Sequence, residues 1–475
     1  MRHLLFPVLL LAACGAPKKN LVVDGPPPLV AASDPKLVTL EAALGNPYAP
    51  PDKDLDVIAR FRVDTSDLPG KARPALRLTL VMDTSGSMEG EAIARAREAA
   101  LTMVDRLEPG DRFALVVFNS KAEVLVPTTV IDGTNRASVR DKIKAIEATG
   151  TTDMAGGLSA ALGQAAAGLD AQIINRIVLL SDGIPNDPAP ILGLAGQAQS
   201  YGVPITALGI GLEFDETLLA SIARTSGGTF EYIEKNEEVV EVFAKEVLRM
   251  KRLVARQMYL QVQPGPGVTI QGVIGFAPQV SGRGIYVTLG DLSQGERRDV
   301  LVRMRVKGHR AEARVELADA TLTFQDAVQN AGSLTRNLFV SMRTTEDQAL
   351  IDRSHDSEIE RAAARAELGA AVVQAIALAR GGNVDQARTV LDAAEPLARQ
   401  RAKKFDDAEL RVQLAELAPL RKALPTLVPP PPPPVLAGAA AAYPEPPQAT
   451  PEEARAVRAA HDHGMKPTQP APRDR

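Results

Sequence analysis

The chain has little of several things, and each shortage removes a class of function. Cysteine occurs once in 475 residues, which excludes an internal disulfide framework and any Cys-rich zinc or iron–sulfur site. Tryptophan is absent and aromatics make up 4%, too few for base-stacking platforms or aromatic sugar cradles. The five histidines (His3, His309, His355, His461 and His463) are scattered, which argues against a His-based metalloenzyme centre. Neither charge sign dominates: 54 Lys+Arg face 58 Asp+Glu, for a net charge of −4, so a general nucleic-acid binder is not indicated. After the first 14 residues no run reads as long and apolar enough to span a membrane. What is there, 45% hydrophobic and 24% charged residues, is the composition of a globular protein, which excludes whole-chain disorder. The length suggests about three domains.

The start of the chain reads as an export signal. Met1-Arg2-His3 is followed by an apolar run at 4–13 broken only by Pro7, too short for the ~20 residues of a membrane span. The run ends in Leu11-Ala12-Ala13-Cys14-Gly15, where small residues lead into the lone cysteine. This resembles the bacterial lipobox, which implies lipidation of Cys14 and a lipid anchor in the cell envelope. Gly15 stands where an inner-membrane retention aspartate would, so the expected location is the outer membrane, with the periplasmic or surface face left open.

Residues 15–53 are rich in proline and small residues and read as an extended tether. The segment 54–74 contains a strand at 55–63 that we expect to join a later β-sandwich, so that the intervening domain is an insertion. Between 75 and 250 apolar strands alternate with helical patterns, the mark of a doubly wound α/β sheet. At 251–326 short strands separated by Gly, Pro, Ser and Asp read as a small antiparallel β-sandwich. Residues 327–424 read as a C-terminal α-helical region, in which 370–398 forms a hairpin resembling a tetratricopeptide unit. The segment 425–475, with prolines at 429–434, reads as a disordered tail. The expected architecture is therefore multidomain: α/β, then β-sandwich, then helical.

One constellation carries chemistry. The apolar strand at 75–82 runs into Asp83-Thr84-Ser85-Gly86-Ser87-Met88, and a helix follows. A second strand-end acid, Asp182, closes Leu179-Leu180-Ser181-Asp182-Gly183. Between them Gly150-Thr151-Thr152-Asp153-Met154 sits at a loop-to-helix junction. Ligands of doubly wound sheets bind beyond the carboxyl ends of the strands, where all three segments fall. Together they resemble the von Willebrand factor A domain and its metal-ion-dependent adhesion site, whose signature is Asp-x-Ser-x-Ser, a distant Thr and a later strand-end Asp.

The resemblance implies that Ser85, Ser87 and Thr152 ligate a metal directly and that Asp83 and Asp182 do so directly or through water. It prefers Thr152 over Thr151. Such an oxygen set suits Mg²⁺, with Mn²⁺ or Ca²⁺ as alternatives. It implies binding of a protein ligand that supplies an Asp or Glu carboxylate, with no nucleic acid and no small-molecule substrate. No catalytic residues are assigned: no His accompanies these motifs, and the spare acid Asp153 reads as a helix cap. Rival readings are a scaffold or assembly factor recognising partners through the helices, an accessory subunit of an AAA+ ATPase, and a metal-dependent hydrolase. His461-Asp462-His463 in the tail reads as incidental, and Gly209-Ile210-Gly211 lacks the remainder of a dinucleotide fingerprint.

Overall fold

The computed structural model describes residues 37–67, 74–170, 173–211, 214–329, 331–428 and 449–472. The leader at 1–14 with Cys14 and the prolines at 429–434 lie outside the described residues.

The chain first lays down part of a sandwich. β1 (Val38–Leu44), the two-residue β2 (Tyr48–Ala49) and β3 (Leu55–Thr65) precede the α/β unit. In β3, Val57, Ala59, Phe61, Val63 and Thr65 are buried while the residues between them are not, the period of two that a half-buried strand requires. β1 pairs with it antiparallel, from Val38 opposite Thr65 to Leu44 opposite Ala59. The tether expected at 15–53 is thus corrected from residue 38 onward. Prolines 47, 50 and 51 follow the strand rather than interrupt it, and the end of an edge strand tolerates them there.

The α/β unit follows. Its elements are β4 (Leu76–Asp83), α1 (Glu91–Asp105), β5 (Arg112–Phe118), β6 (Ala122–Val130), α2 (Arg136–Lys144), α3 (Met154–Ala166), β7 (Ile174–Ser181), α4 (Ile191–Ser200), β8 (Ile205–Ile210), α5 (Glu216–Ser226), β9 (Phe230–Ile233) and α6 (Val239–Lys251). The sheet order is β6-β5-β4-β7-β8-β9, parallel except for the antiparallel edge strand β6. Helices cover both faces, so every residue of β4, β7 and β8 is buried. Strand order reverses between β4 and β7, which makes their carboxyl ends the topological switch point.

The chain then completes the sandwich with β10 (Leu253–Pro264), β11 (Val268–Val273), β12 (Gln279–Ser281), β13 (Gly284–Ser293), β14 (Glu296–Val306), β15 (Arg314–Asp326) and β16 (Ser333–Thr344). One sheet runs β1-β3-β14-β11 and the other β12-β13-β10-β15-β16-β2, and Phe61, Leu260, Val302 and Leu322 belong to the shared core. Because β3 pairs with β14 along its whole length, the α/β unit is inserted in a sandwich that begins before it and ends after it. Arg176 on β7 and Asp291 on β13, both buried and 2.6 Å apart, tie the two units together. The expected helical start at 327 is corrected: Ser333–Thr344 is a strand, held by β15 on one side and β2 on the other.

The helical region contains α7 (Gln348–Arg353), α8 (Ser357–Arg380), α9 (Val384–Phe405), α10 (Ala408–Ala423) and α11 (Pro451–Met465), with a short β17 (Ala471–Pro472) pairing β14. The hairpin α8–α9 turns at Gly381-Gly382-Asn383, but helices of 24 and 22 residues outgrow the ~34-residue tetratricopeptide unit. α8 is by length and composition apolar enough to cross a membrane, which corrects the sequence expectation. Over half of its most apolar window is buried inside the protein.

The disordered tail is corrected as well. α11 starts at a capping box between Thr450 and Glu453 with Pro451 in its first turn, and buries Val457, Ala460, His461 and Met465. His461 packs edge-on to Phe230, while His463 Nδ1 meets Glu416 at 2.6 Å, so the two imidazoles serve separate contacts.

Burial, with the Arg458, Arg380 and Arg224 guanidiniums nearby, pushes the His461 imidazole down to about 3. The unfolded value is about 6.5, so as pH falls the unfolded chain takes up the proton first. The stability tied to neutral His461 is whole above pH ~6.5 and falls by about 1.4 kcal/mol per pH unit down to ~3. Between pH 7 and pH 5 this amounts to about 2 kcal/mol, and His461→Leu is expected to remove that part of the slope. Denaturant titrations at the two pH values check it; equal losses in both proteins would contradict it.

Candidate functional site

β4 ends in a buried carboxylate because both of its neighbours are parallel strands and both of its faces are covered. Asp83 is fully buried, and its oxygens accept from the Ser85 amide at 2.9 Å and from Ser181 Oγ at 2.6 Å. Burial pushes the Asp83 carboxyl up from its ordinary range, and the hydrogen bonds from Ser181 and Ser85 pull the other way. Among the described residues no Lys or Arg forms an ion pair with Asp83. The chain then makes a 3₁₀ turn at Gly86–Met88, anchored by buried Met88, which brings Ser85 Oγ and Ser87 Oγ to 3.1 Å. Ser87 Oγ donates to Asp182 Oδ1 at 2.7 Å across the switch point.

Main-chain hydrogen bonds hold the contributing loops. The Thr84 amide donates to the Phe118 carbonyl at 2.8 Å, Thr149 to Thr84 at 2.7 Å, Gly86 to Gly150 at 3.0 Å, Asp153 to Asn119 at 2.6 Å and Asn186 to Thr152 at 3.0 Å. Gly150 has φ +83°, and a Cβ there would stand 2.5 Å from Ser120 Oγ, so the loop requires glycine.

The structure gathers all five sequence-predicted residues in one place. A Cβ built on Gly183 would lie 3.4 Å from Thr152 Oγ1, 3.5 Å from Ser87 Oγ and 3.7 Å from Asp83 Oδ2, so three oxygens from three segments face one small volume beside Gly183. Asp83, Ser85, Thr152 and Asp182 are buried and Ser87 is exposed, so the cradle opens to solvent on the Ser87 side. The two threonines separate cleanly. Thr152 Oγ1 faces the cradle, whereas Thr151 Oγ1 meets Ser120 Oγ at 3.3 Å and accepts from Asn186 Nδ2 at 3.2 Å. Asp153 caps α3 by accepting from the Gly156 amide.

The sequence reading missed Ser181 and Gly183. Ser181 stands in plain view one residue before the strand-end acid, where a hydroxyl inside a run of buried aliphatics calls for a partner. Gly183 shows no signal without the fold, because what it does is leave room.

Two carboxylates and three hydroxyls are hard oxygen donors, and a buried carboxylate with no basic partner is an arrangement a divalent cation would stabilise. The donor set passes that test. It is not a carboxylate- or histidine-rich cage: among the described residues no group of three or more His, Cys, Asp or Glu is placed to hold a metal.

A doubly wound sheet with an oxygen-lined switch point formed by Asp-x-Ser-x-Ser, Thr and Asp defines a von Willebrand factor A-type domain. The family model for the von Willebrand factor type A domain matches residues 78–246, so this chain carries such a domain. Among curated proteins it is 29% identical over 244 residues to an uncharacterized protein of Synechocystis sp., covering 49% of this chain and 57% of that one. It is 27% identical over 268 residues to the uncharacterized protein YfbK of Escherichia coli, covering 54% and 45%. The chain thus spans about half the length of the curated relatives it matches. A solved von Willebrand factor type A protein from Catenulispora acidiphila superposes with a TM-score of 0.63 at 19% identity, over 82% of this chain and 92% of that one. The ArnB paralog VWA2 from Sulfolobus acidocaldarius gives 0.52 at 16%, over 80% and 94%. The likeness of fold thus extends well beyond the α/β domain.

Proposed function

We propose that the chain binds a protein partner through a divalent cation at the switch point of its von Willebrand factor A domain. Asp83, Ser85, Ser87, Thr152 and Asp182 would hold the cation, Mg²⁺ or Mn²⁺ by the hardness of the donors. When bound, the ion offers an electrophilic position that a partner's Asp or Glu carboxylate can fill, a charge-assisted contact in a partly buried setting. The observation that carries this reading is the convergence of Thr152, Ser87 and Asp83 oxygens on the space beside Gly183. A binding role rather than a reaction is supported by Asp153, the spare acid, whose carboxylate is spent on capping α3. The lipobox-like Cys14 supports a lipid anchor that holds the domain at a bacterial envelope membrane, the outer one by the residue at 15.

Gly183→Ala tests the reading. Gly183 is not in the left-handed region, so alanine is tolerated by the backbone, while the added methyl, in ordinary contact with three of the oxygens, fills the space they face. Calorimetric titration with Mg²⁺ and Mn²⁺ is expected to give one saturable site in the wild type and at least ~10-fold weaker binding in the variant, as losing a charge-assisted contact does. Pull-down from envelope extract should yield a partner retained with Mg²⁺ and released by EDTA. A partner retained equally in EDTA and by Gly183→Ala would exclude the metal-bridged contact and favour recognition through the helices.

A further inference from the structure

A second site lies at the other edge of the sheet. α5 runs antiparallel to its strands, so its C-terminal end lies opposite the switch point. There the last turn of α5, the start of β9, Thr288 and Leu289 of β13, Arg298 of β14 and the 465–469 segment after α11 enclose a small cleft. It has room for a few ordered waters, about the size of one compact ion. Arg298 lies at its floor and Arg224 at its mouth, and no Asp or Glu lines it.

Arg298 is only 7% exposed. Its Nη1 donates to the Leu289 carbonyl and its Nε has no partner. The nearby acids are engaged elsewhere: Glu296 accepts from Arg249 Nε at 2.7 Å and from the Ser293 amide, and Asp291 accepts from Arg176 and from the Gln257 amide. Arg224 forms no ion pair or side-chain hydrogen bond among the described residues. Its place in the last turn of α5 complements the helix dipole, but that role does not extend to Arg298, on another domain and buried. A buried guanidinium with no carboxylate in direct contact is costly, and it stays charged at neutral pH although burial and Arg249, against the pull of Glu296 and Asp291, bring it down to about 10. Pockets at domain junctions with a few convergent polar groups are common ligand sites.

We propose that this cleft binds a compact oxyanion of the phosphate class, clamped between the Arg298 and Arg224 guanidiniums, with Thr229 and Thr288 in the wall. The site is independent of the metal-bridged contact. Because its walls come from the α/β domain, the sandwich and the C-terminal segment, an anion held there would pin the three together.

The test uses the full chain. Calorimetric titration with inorganic phosphate, at an ionic strength matched with chloride, is expected to give one saturable site. Arg224→Gln, an exposed substitution, should weaken it at least ~10-fold, the loss of a hydrogen bond to a charged group. Arg298→Met should abolish it, and near-ultraviolet circular dichroism will show whether both variants keep the wild-type fold. A parallel arm with phosphatidylglycerol vesicles separates a free phosphate from a lipid headgroup: binding lost in Arg224→Gln assigns whichever source shows it. Absence of saturable binding in both arms overturns the proposal, as does phosphate affinity unchanged in Arg224→Gln. If Arg298→Met fails to fold, Arg224→Gln alone decides.

Discussion

If the proposed site holds Mg²⁺, the ion is expected to raise the melting temperature of the wild-type chain and Asp83→Ala to abolish that rise. A ligand at about 100 times its Kd stabilises the folded state by ~2.7 kcal/mol, which for a domain of this size is roughly 5–10 °C. Asp83 is the most deeply buried oxygen donor of the set, and Ser85 and Ser181 are oriented by hydrogen bonds to it, so its removal takes away a ligand and unfastens two hydroxyl-bearing residues. In EDTA the variant should differ from wild type by about 1 kcal/mol or less, with either sign. It loses two hydrogen bonds, but it also loses a buried carboxylate that lacks a cationic partner among the described residues, and these effects oppose each other. Thermal melts of both proteins in Mg²⁺ and in EDTA distinguish this from a purely structural role. A structural Asp83 would lower both melts of the variant and leave the Mg²⁺-induced rise intact. An undiminished rise in Asp83→Ala would mean that the ion, if it binds, binds elsewhere.

The parts of the molecule that were legible in the sequence are those where one residue pattern has one cheap solution. The stretch 177–180 is apolar throughout because it lies in a central parallel strand, and the acid two residues after it, Asp182, is conspicuous for the same reason. Asp83, Ser85 and Ser87 could be read as one turn because their spacing is local. Their meeting with Thr152 and Asp182 was reached through a family resemblance, since sequence separations of about 70 and 95 residues carry no geometry. The edges of the sandwich were not legible. β1 lies among prolines, and the tail helix α11 follows a proline-rich stretch, so composition pointed to disorder while a capping box at Thr450 and Glu453 pointed to a helix. Local capping chemistry was the better guide there. It names the residue at which backbone amides stop being satisfied by water. Composition averages over that position. The strand Ser333–Thr344 was hidden for another reason. Its outer positions carry Arg and Asn, and its partner strands lie both before and some 290 residues away in the chain.

What holds α11 in place is expected to be the second large effect: Arg458→Ala should cost about 3 kcal/mol, and Glu216→Ala up to ~5. Glu216, fully buried at the start of α5, is reached by Arg458 from α11 and by Arg380 from α8, the latter with Nη2 at 2.5 Å from Oε2. Arg458 Nη2 also donates to the Phe214 carbonyl at 2.5 Å, and its guanidinium lies 3.9 Å from the centre of the Phe214 ring. Removing Arg458 leaves Glu216 with one cation, so the loss falls at the low end of what breaking a buried pair costs. Removing Glu216 takes the shared carboxylate from both guanidiniums at once, with Arg380 keeping only Asp215 at 3.4 Å, which is worse. Hydrogen exchange reads the consequence locally. In both variants amides of 451–465 should lose protection, while those of β4 and β7 keep theirs, because the sheet core does not depend on this contact. Mg²⁺ affinity at the switch point should then be unchanged within about 2-fold, since none of its five oxygen donors touches Glu216 or Arg458. Protection of α11 unchanged in both variants would show that its apolar face, with Val457, Ala460 and Met465, suffices to dock it and that the buried charges are incidental to the closure.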